Sequence, residues 1–354
     1  MTNNAKKITK IILIILALPI VLFVIFLLYA TLADYNPKEE IVVYESKESD
    51  GLKSDMEINI MTWNIGYCGL GADMDFFYDG GEQVRTSEEN TQKNLEAVKL
   101  FLKEESKNID FFLIQEVDIK AKRSYKIDQH EEIKKTLSDY KVFFGINYKV
   151  FFVPTPPTKP YGKVLAGLAT YSKYTPSKST RFPFPGNYSW PMGLFMLDRC
   201  FLENRYNLDN GKELIIINTH NSAYDDGTLK QQQNEYLKKH ILKEYQNGNY
   251  VIVGGDWNQC PPNFKPDFDG FLMDNEVRTD IASDYLIDWK WVFQNKVPSN
   301  RRVSAIYDKS KTLTTMIDFF VVSPNVEEIS VQGIDLNFQN SDHNPVIAKL
   351  KLIN

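Results

Sequence analysis

"VIVGGDWNQCPP", residues 251–262, begins as an apolar run of the kind that makes a buried strand and then stops at Gly254, Gly255, Asp256, Trp257 and Asn258. Gly, Asp and Asn all favour tight turns, so this stretch alone reads equally well as a chain reversal. It becomes informative if other strands end the same way, because polar strand ends gathered at one edge of a sheet make a site.

Other strands do end this way. "IMTWN" stops at Asn64, "FFLIQE" at Glu116, and "IIINTH" at Asn218 and His220. Asp318 opens "IDFFVV", and Asp342 with His343 stands in "SDHNPVIAKL". Of the 4 histidines, His220 and His343 occupy these places, while His130 and His240 fall in charged helical patterns expected to be solvated. Each residue has an ordinary use by itself: Asn64 capping a turn, Glu116 at the surface, Asp318 paired with a lysine, the histidines satisfied in a core. Together they argue for a site, because carboxylates, amides and imidazoles beside apolar strands cost free energy unless they pair or bind an ion.

A set of Glu, Asp and Asn oxygens suits a hard cation such as Mg²⁺ or Mn²⁺, which takes few protein carboxylates and leaves positions for water and phosphate. Zinc fits less well, since there is no HExxH, no CxxC and no His pair at helical spacing. The absence of GxxxxGK[ST], GxGxxG and GxSxG motifs leaves triphosphatase, Rossmann and serine-hydrolase readings without support.

Working outward, apolar β-rich runs alternate with helical patterns, which points to α/β or mixed layers. Strands are expected at 57–65, 110–117, 140–146, 165–173, 197–208, 213–220, 250–257, 315–323 and 344–352, and helices at 87–105, 128–138 and 228–246. Ser87 with Asn90 offers cap chemistry for the first helix. Residues 153–195 are rich in Pro, Gly and aromatics and are expected to form structured loops. In the opening stretch, the glycines are expected to let backbone and ligand approach closely, and Trp257 to point to the opposite face from Asp256.

Residues 11–33 form an uncharged apolar run long enough, at about 1.5 Å per residue, to span a bilayer as a helix. Lys6, Lys7 and Lys10 precede it and Asp34 follows, which places residues 1–10 in the cytoplasm and residues 34 onward outside. A cleaved signal peptide is the competing reading, since "ATLA" offers small residues, but the run exceeds the usual apolar core of roughly 7 to 15 residues. Residues 34–56 read as a charged spacer and 57–354 as one catalytic domain. The net charge of -5 comes from 46 acidic and 41 basic side chains well mixed along the chain, so no polybasic block announces nucleic acid or anionic membrane. Cys68, Cys200 and Cys260 allow at most one intrachain disulfide, with Cys68 and Cys260 the candidate pair.

The motifs "TWNI", "LIQEV", "GLATYSK", "INTHN", "GGDWN", "IDFFVVS" and "SDHNPV", in this order from about Glu57 to Leu352, resemble the endonuclease/exonuclease/phosphatase superfamily. The resemblance implies an α+β fold, a four-layer α/β/β/α sandwich of two mixed β-sheets. It implies a metal site at Asn64, Glu116 and Asp342, with Glu116 the direct ligand. It implies that Asp256 and Asn258 handle the attacking water and the scissile phosphate, and that His343 is the catalytic histidine, held by Asp318. His220 stands where apurinic endonucleases have an amide, which argues against abasic-site repair. Gly66 and Tyr67 stand where some nuclease branches carry a further acid. The expected activity is Mg²⁺- or Mn²⁺-dependent hydrolysis of a phosphate ester (phospholipid headgroup, sugar phosphate or nucleic acid) by a membrane-anchored monomer. His343 or Asp256 serves as base, and His220 binds or protonates a phosphoryl oxygen. A surface binding protein that keeps the fold without turnover is the competing class; it predicts gaps in the constellation, and none is found.

Overall fold

A computed structural model describes residues 3–37, 39–223, 227–270 and 279–353. Helix α1 (Asn3–Leu32) precedes the strands β1 (Ile41–Glu45) and β2 (Glu57–Asn64). There follow α2 (Glu88–Glu105), β3 (Phe111–Asp118), α3 (Gln129–Thr136), β4 (Lys141–Val153), β5 (Gly162–Ser172), β6 (Lys178–Pro183), β7 (Cys200–Asn207), β8 (Glu213–His220), α4 (Thr228–Gln246) and β9 (Tyr250–Asp256). The chain ends with β10 (Lys290–Val292), β11 (Asn300–Arg301), β12 (Thr314–Thr315), β13 (Asp318–Val322), β14 (Val326–Gly333) and β15 (Val346–Leu352). Two large sheets form, a 7-stranded one ordered β1-β6-β7-β8-β9-β13-β10 and a 6-stranded one ordered β14-β15-β2-β3-β5-β4, and β11 and β12 pair as a separate 2-stranded ribbon. Both are mixed: β2 and β3 run parallel, as do β8 and β9, among antiparallel neighbours.

Side-chain alternation explains the layers, since successive residues of a strand face opposite sides of its sheet. Ile58 and Ile60 of β2, Phe111 and Leu113 of β3, Leu214 and Ile216 of β8, Ile252 of β9 and Phe320 of β13 pack into one core between the sheets. Their neighbours face outward. Met61, Trp63, Phe112 and Ile114 meet Leu95, Val98 and Leu102 of α2 and Ile133 of α3. Ile215, Ile217, Val251 and Val253 meet Leu237 and Ile241 of α4. The result is a sheet-on-sheet sandwich with helices on both outer faces, as expected. Ser87 caps α2, its hydroxyl accepting from the Asn90 backbone N–H at 3.1 Å.

Several expectations are corrected or extended. Ile41–Glu45, within the stretch read as a spacer, forms β1 and pairs with β6 at the edge of the larger sheet. The three cysteines are free and buried, and the Cys68–Cys260 pair does not form. Cys68 packs with Trp63 and Leu95 outside the smaller sheet, whereas Cys260 packs with Phe264 and Met316 in a separate cluster. His130 and His240 are not solvated surface residues. Both are half-buried, His130 against the Phe144 ring and His240 with its Nε2 2.5 Å from Glu203 Oε2.

The glycines of "GGD" serve the fold rather than a ligand. A Cβ on Gly254 would lie 2.5 Å from the Phe320 ring and 2.9 Å from Leu113 of the facing sheet, and one on Gly255 would lie 2.0 Å from the Thr219 carbonyl oxygen. Trp257 does face away from the site. It is buried, lies parallel to Phe319 at 5.3 Å and donates its indole N–H to the Phe319 carbonyl.

Candidate active site

The same parity that builds the core builds the site. On β2, β8, β9 and β13 the even-numbered residues face the opposite sheet, so Asn64, His220, Asp256 and Asp318 continue the inter-sheet rows at the strand ends. One step deeper, Gln115 and Asn218 meet where the sheets touch. The Gln115 amide donates to Asn218 Oδ1 at 2.8 Å, and the Asn218 amide donates to the carbonyls of Ile114 and Ala169. Asn218 thus ties the sheets together beneath the site. Glu116 departs from simple alternation: it sits in a bulge between β3 and β5 with φ of 56°, a left-handed conformation that re-aims the carboxylate at the rim.

The eight residues picked from sequence converge. The Asn64 amide donates to Asp256 Oδ2 at 3.0 Å and to Glu116 Oε1 at 3.4 Å. Asp256 Oδ2 also lies 3.4 Å from His220 Nε2 and 3.8 Å from His343 Nε2. The Asn258 backbone N–H donates to Asp256 Oδ1, and the Asn258 amide donates to the Asn221 carbonyl. His343 Nδ1 donates to Asp318 Oδ2 at 2.8 Å, which fixes the ring and turns Nε2 toward Asp256 and toward Asp342 Oδ2, 3.9 Å away. Ser341 binds the pieces together, donating to the Asn64 carbonyl and accepting from the His343 backbone N–H. The Trp63 indole donates to the His343 carbonyl.

Sequence reasoning missed Asn300. Its side-chain amide nitrogen lies 3.0 Å from His343 Nε2, and the two residues form an isolated antiparallel bridge. No apolar run leads into "PSNRR", so nothing in the local pattern marks a strand end there. Arg123 was missed too: buried beside β3, it grips Asp118 through Nε and Nη2 and lies 3.8 Å from the centre of the Tyr67 ring.

Burial and crowding set the charges. Asp342 is pushed up to about 7 by burial, with the neighbouring Glu116 charge adding to the rise and His343 opposing it. Asp256 is also raised, by burial and by Asp318. Burial lowers His343, but the carboxylates of Asp318, Asp342 and Asp256 outweigh it and lift the imidazole to about 10. His220 is driven well below the ordinary range by burial, with the charges of Arg199 and His343 acting in the same direction. Buried carboxylates held out of their ionised state in this way fit a divalent cation, which would restore the charge they are denied. Asp256, Asp318 and His343 each offer a ligand atom within one 4.8 Å cluster.

The profile of the Endonuclease/Exonuclease/phosphatase family matches residues 61–343. The chain belongs to this family. Its members are hydrolases of phosphate esters, and the match spans every residue of the constellation. No curated relative matches the chain in sequence. Among solved structures, it is similar to the endonuclease/exonuclease/phosphatase from Beutenbergia cavernae, with 16% identity over 84% of this chain and 72% of that one and a TM-score of 0.58. It is also similar to the endonuclease/exonuclease/phosphatase from Bacteroides vulgatus, at 19% identity, 84% and 99% coverage and a TM-score of 0.52. A third is TDP2 of D. rerio, solved with a single-strand DNA product, at 15% identity, 84% and 99% coverage and a TM-score of 0.51. At these identities the likeness is one of fold.

Proposed function

We propose that the protein is a Mg²⁺- or Mn²⁺-dependent phosphoesterase, a monomer anchored by α1 with residues 34 onward outside the cytoplasm. The observation that carries the chemistry is the meeting of Asn64, Glu116, Asp256, Asp342 and His343 at one sandwich rim through contacts of 3.0–3.9 Å. The anchor rests on α1, whose residues Lys6–Leu32 are long and apolar enough to cross a membrane and unburied across their most apolar window.

Glu116, Asn64 and Asp342 hold the cation. When bound, it supplies positive charge against the phosphoryl oxygens, relieving the repulsion that keeps hydroxide from a phosphate ester. The protein supplies the rest. Asp256, held by the Asn64 amide and the Asn258 backbone, is the carboxylate that takes the proton of the attacking water. His343, oriented by Asp318 through Nδ1, presents Nε2 to the phosphoryl group. His220, neutral in its buried place 3.4 Å from Asp256, offers a second hydrogen bond to the same group.

Glu116→Gln and His343→Ala should each lower hydrolysis of bis(p-nitrophenyl) phosphate at least a hundredfold while leaving the circular dichroism spectrum unchanged, and a chelator should abolish wild-type turnover. Undiminished turnover in either folded variant would refute this site.

A further inference from the structure

The strand directions put the catalytic rim and the membrane helix at the same end of the sandwich. The rim lies at the C-terminal ends of β2, β3, β8 and β9. Because β7 runs antiparallel to β8, with Phe201 opposite Thr219, β7 begins at that end. The β6 partner of Cys200 is Pro183, so β6 finishes there. Ile41 pairs with Arg181, so β1 starts there too, and β1 is the first strand after α1. In the other sheet, Asp118 lies opposite Ala166 and Val153 opposite Gly162, which brings the β4–β5 connection to the same rim.

These loops touch the last turns of α1. Phe26 lies parallel to Phe195 at 5.8 Å and also meets Phe151 and Phe152. The Tyr29 ring stands edge-on to Phe151 at 4.8 Å, and the Trp190 indole donates to the Thr31 hydroxyl at 3.2 Å. Trp190 and Met192 are nonetheless 63% and 57% exposed, large apolar side chains on the loop against the helix end. Phe26 is six residues before Leu32, a rise of about 9 Å, so with α1 across a bilayer whatever touches Phe26 sits at the depth of the headgroups and upper acyl chains. Trp is enriched at that depth. Contacts run on into the site: the Tyr148 hydroxyl donates to the Phe195 carbonyl, Arg123 lies 5.7 Å from the Tyr148 ring, and Arg123 holds Asp118, two residues past Glu116.

Resting on the phosphoesterase reading above, we propose that the loop containing Trp190 and Met192, together with the end of β4, docks on the bilayer around α1, turning the rim to the membrane surface. The substrate is then the phosphate ester of a lipid headgroup in the facing leaflet. The occupant of the apolar surface is a bilayer, because that surface is continuous with the spanning helix.

The test uses the full-length protein in phosphatidylcholine vesicles. Trp63, Trp257 and Trp289 are buried and Trp291 is half-buried in the cluster with Trp257 and Phe319, so lipids brominated in the upper acyl chain should quench the wild type at least twice as strongly as Trp190→Phe. In the double variant Trp190→Ser/Met192→Ser, the ratio of phosphatidylcholine turnover in vesicles to bis(p-nitrophenyl) phosphate turnover should fall at least fivefold. Equal quenching in wild type and Trp190→Phe, an unchanged ratio, or a DNA oligonucleotide cleaved faster than vesicle lipid would each overturn the proposal. If wild type with Mg²⁺ or Mn²⁺ hydrolyses no soluble diester, the phosphoesterase reading falls, and the substrate class with it, while quenching still decides the orientation.

Discussion

Gly66 makes room for the Asp342 carboxylate. By sequence it marks the place where an acid found in some relatives is missing. In the fold its φ is 50°, its N–H donates to Asn64 Oδ1, and a Cβ there would lie 2.6 Å from Asp342 Oδ1. Gly66→Ala should therefore cost about 1–2 kcal/mol in backbone strain and roughly tenfold or more in metal affinity by pushing Asp342 aside. Urea unfolding and a calorimetric Mn²⁺ titration would check the two effects separately. Residues at the ends of apolar runs, Asn64, Glu116, His220 and Asp256, were legible because a polar group breaking a hydrophobic pattern needs a reason. Asn300 and Arg123 were not, because one reaches its partner from a two-residue strand and the other from a short turn, and neither local pattern carries such a break.

At the scale of elements, most strands found from sequence are buried along nearly their whole length and read as apolar runs; β4, an edge strand with one half-buried face, is the exception. Those missed in the two large sheets, β1, β6, β10 and β14, lie at or next to a sheet edge, and β6 and β14 are polar as well ("KSTRFP", "VEEISVQG"); β11, two residues long, is too short to show a pattern. Strand β7 shows why polar patterns mislead. Glu203 and Arg205 share the face of Phe201 and meet His240 and Glu244 of α4, where Arg205 bonds Glu203, Glu213 and Glu244 at 2.5–2.8 Å. What reads as a solvated helix face is a buried ion network. Burial raises Glu244, but its bonds to Arg205 and Asn249 prevail and hold it below the ordinary 4.5. A lowered carboxylate contributes stability that is full above the unfolded value and is lost as pH falls through the folded one. Glu244→Gln should thus destabilise the fold by about 2 kcal/mol near neutrality and show a flatter loss of stability below about pH 4.5 than wild type, as followed by urea unfolding across pH.

For the whole molecule, the site belongs to neither sheet alone. Asn64, Glu116 and Asp342 come from the smaller sheet and its approaches, Asp256 and His220 from the larger, so the site is complete only where the two layers meet. Mg²⁺ at a hundred times its dissociation constant should stabilise the fold by about 2.7 kcal/mol, seen as a rise in Tm that Glu116→Gln abolishes. The layered architecture was legible because alternation and motif order fix which faces are apolar. How α1 meets the domain was not, since contacts between Phe26 and Phe195 leave no trace in either segment alone. The connection itself has a mechanical consequence. Only residues 33–40 separate α1 from β1, a leash of at most about 29 Å when fully extended. With α1 embedded, the working volume is a thin slab above the bilayer. The rate should then follow the surface density of lipid, so diluting the vesicles in buffer leaves each molecule's turnover unchanged, and a bulky polymer is crowded out of the gap.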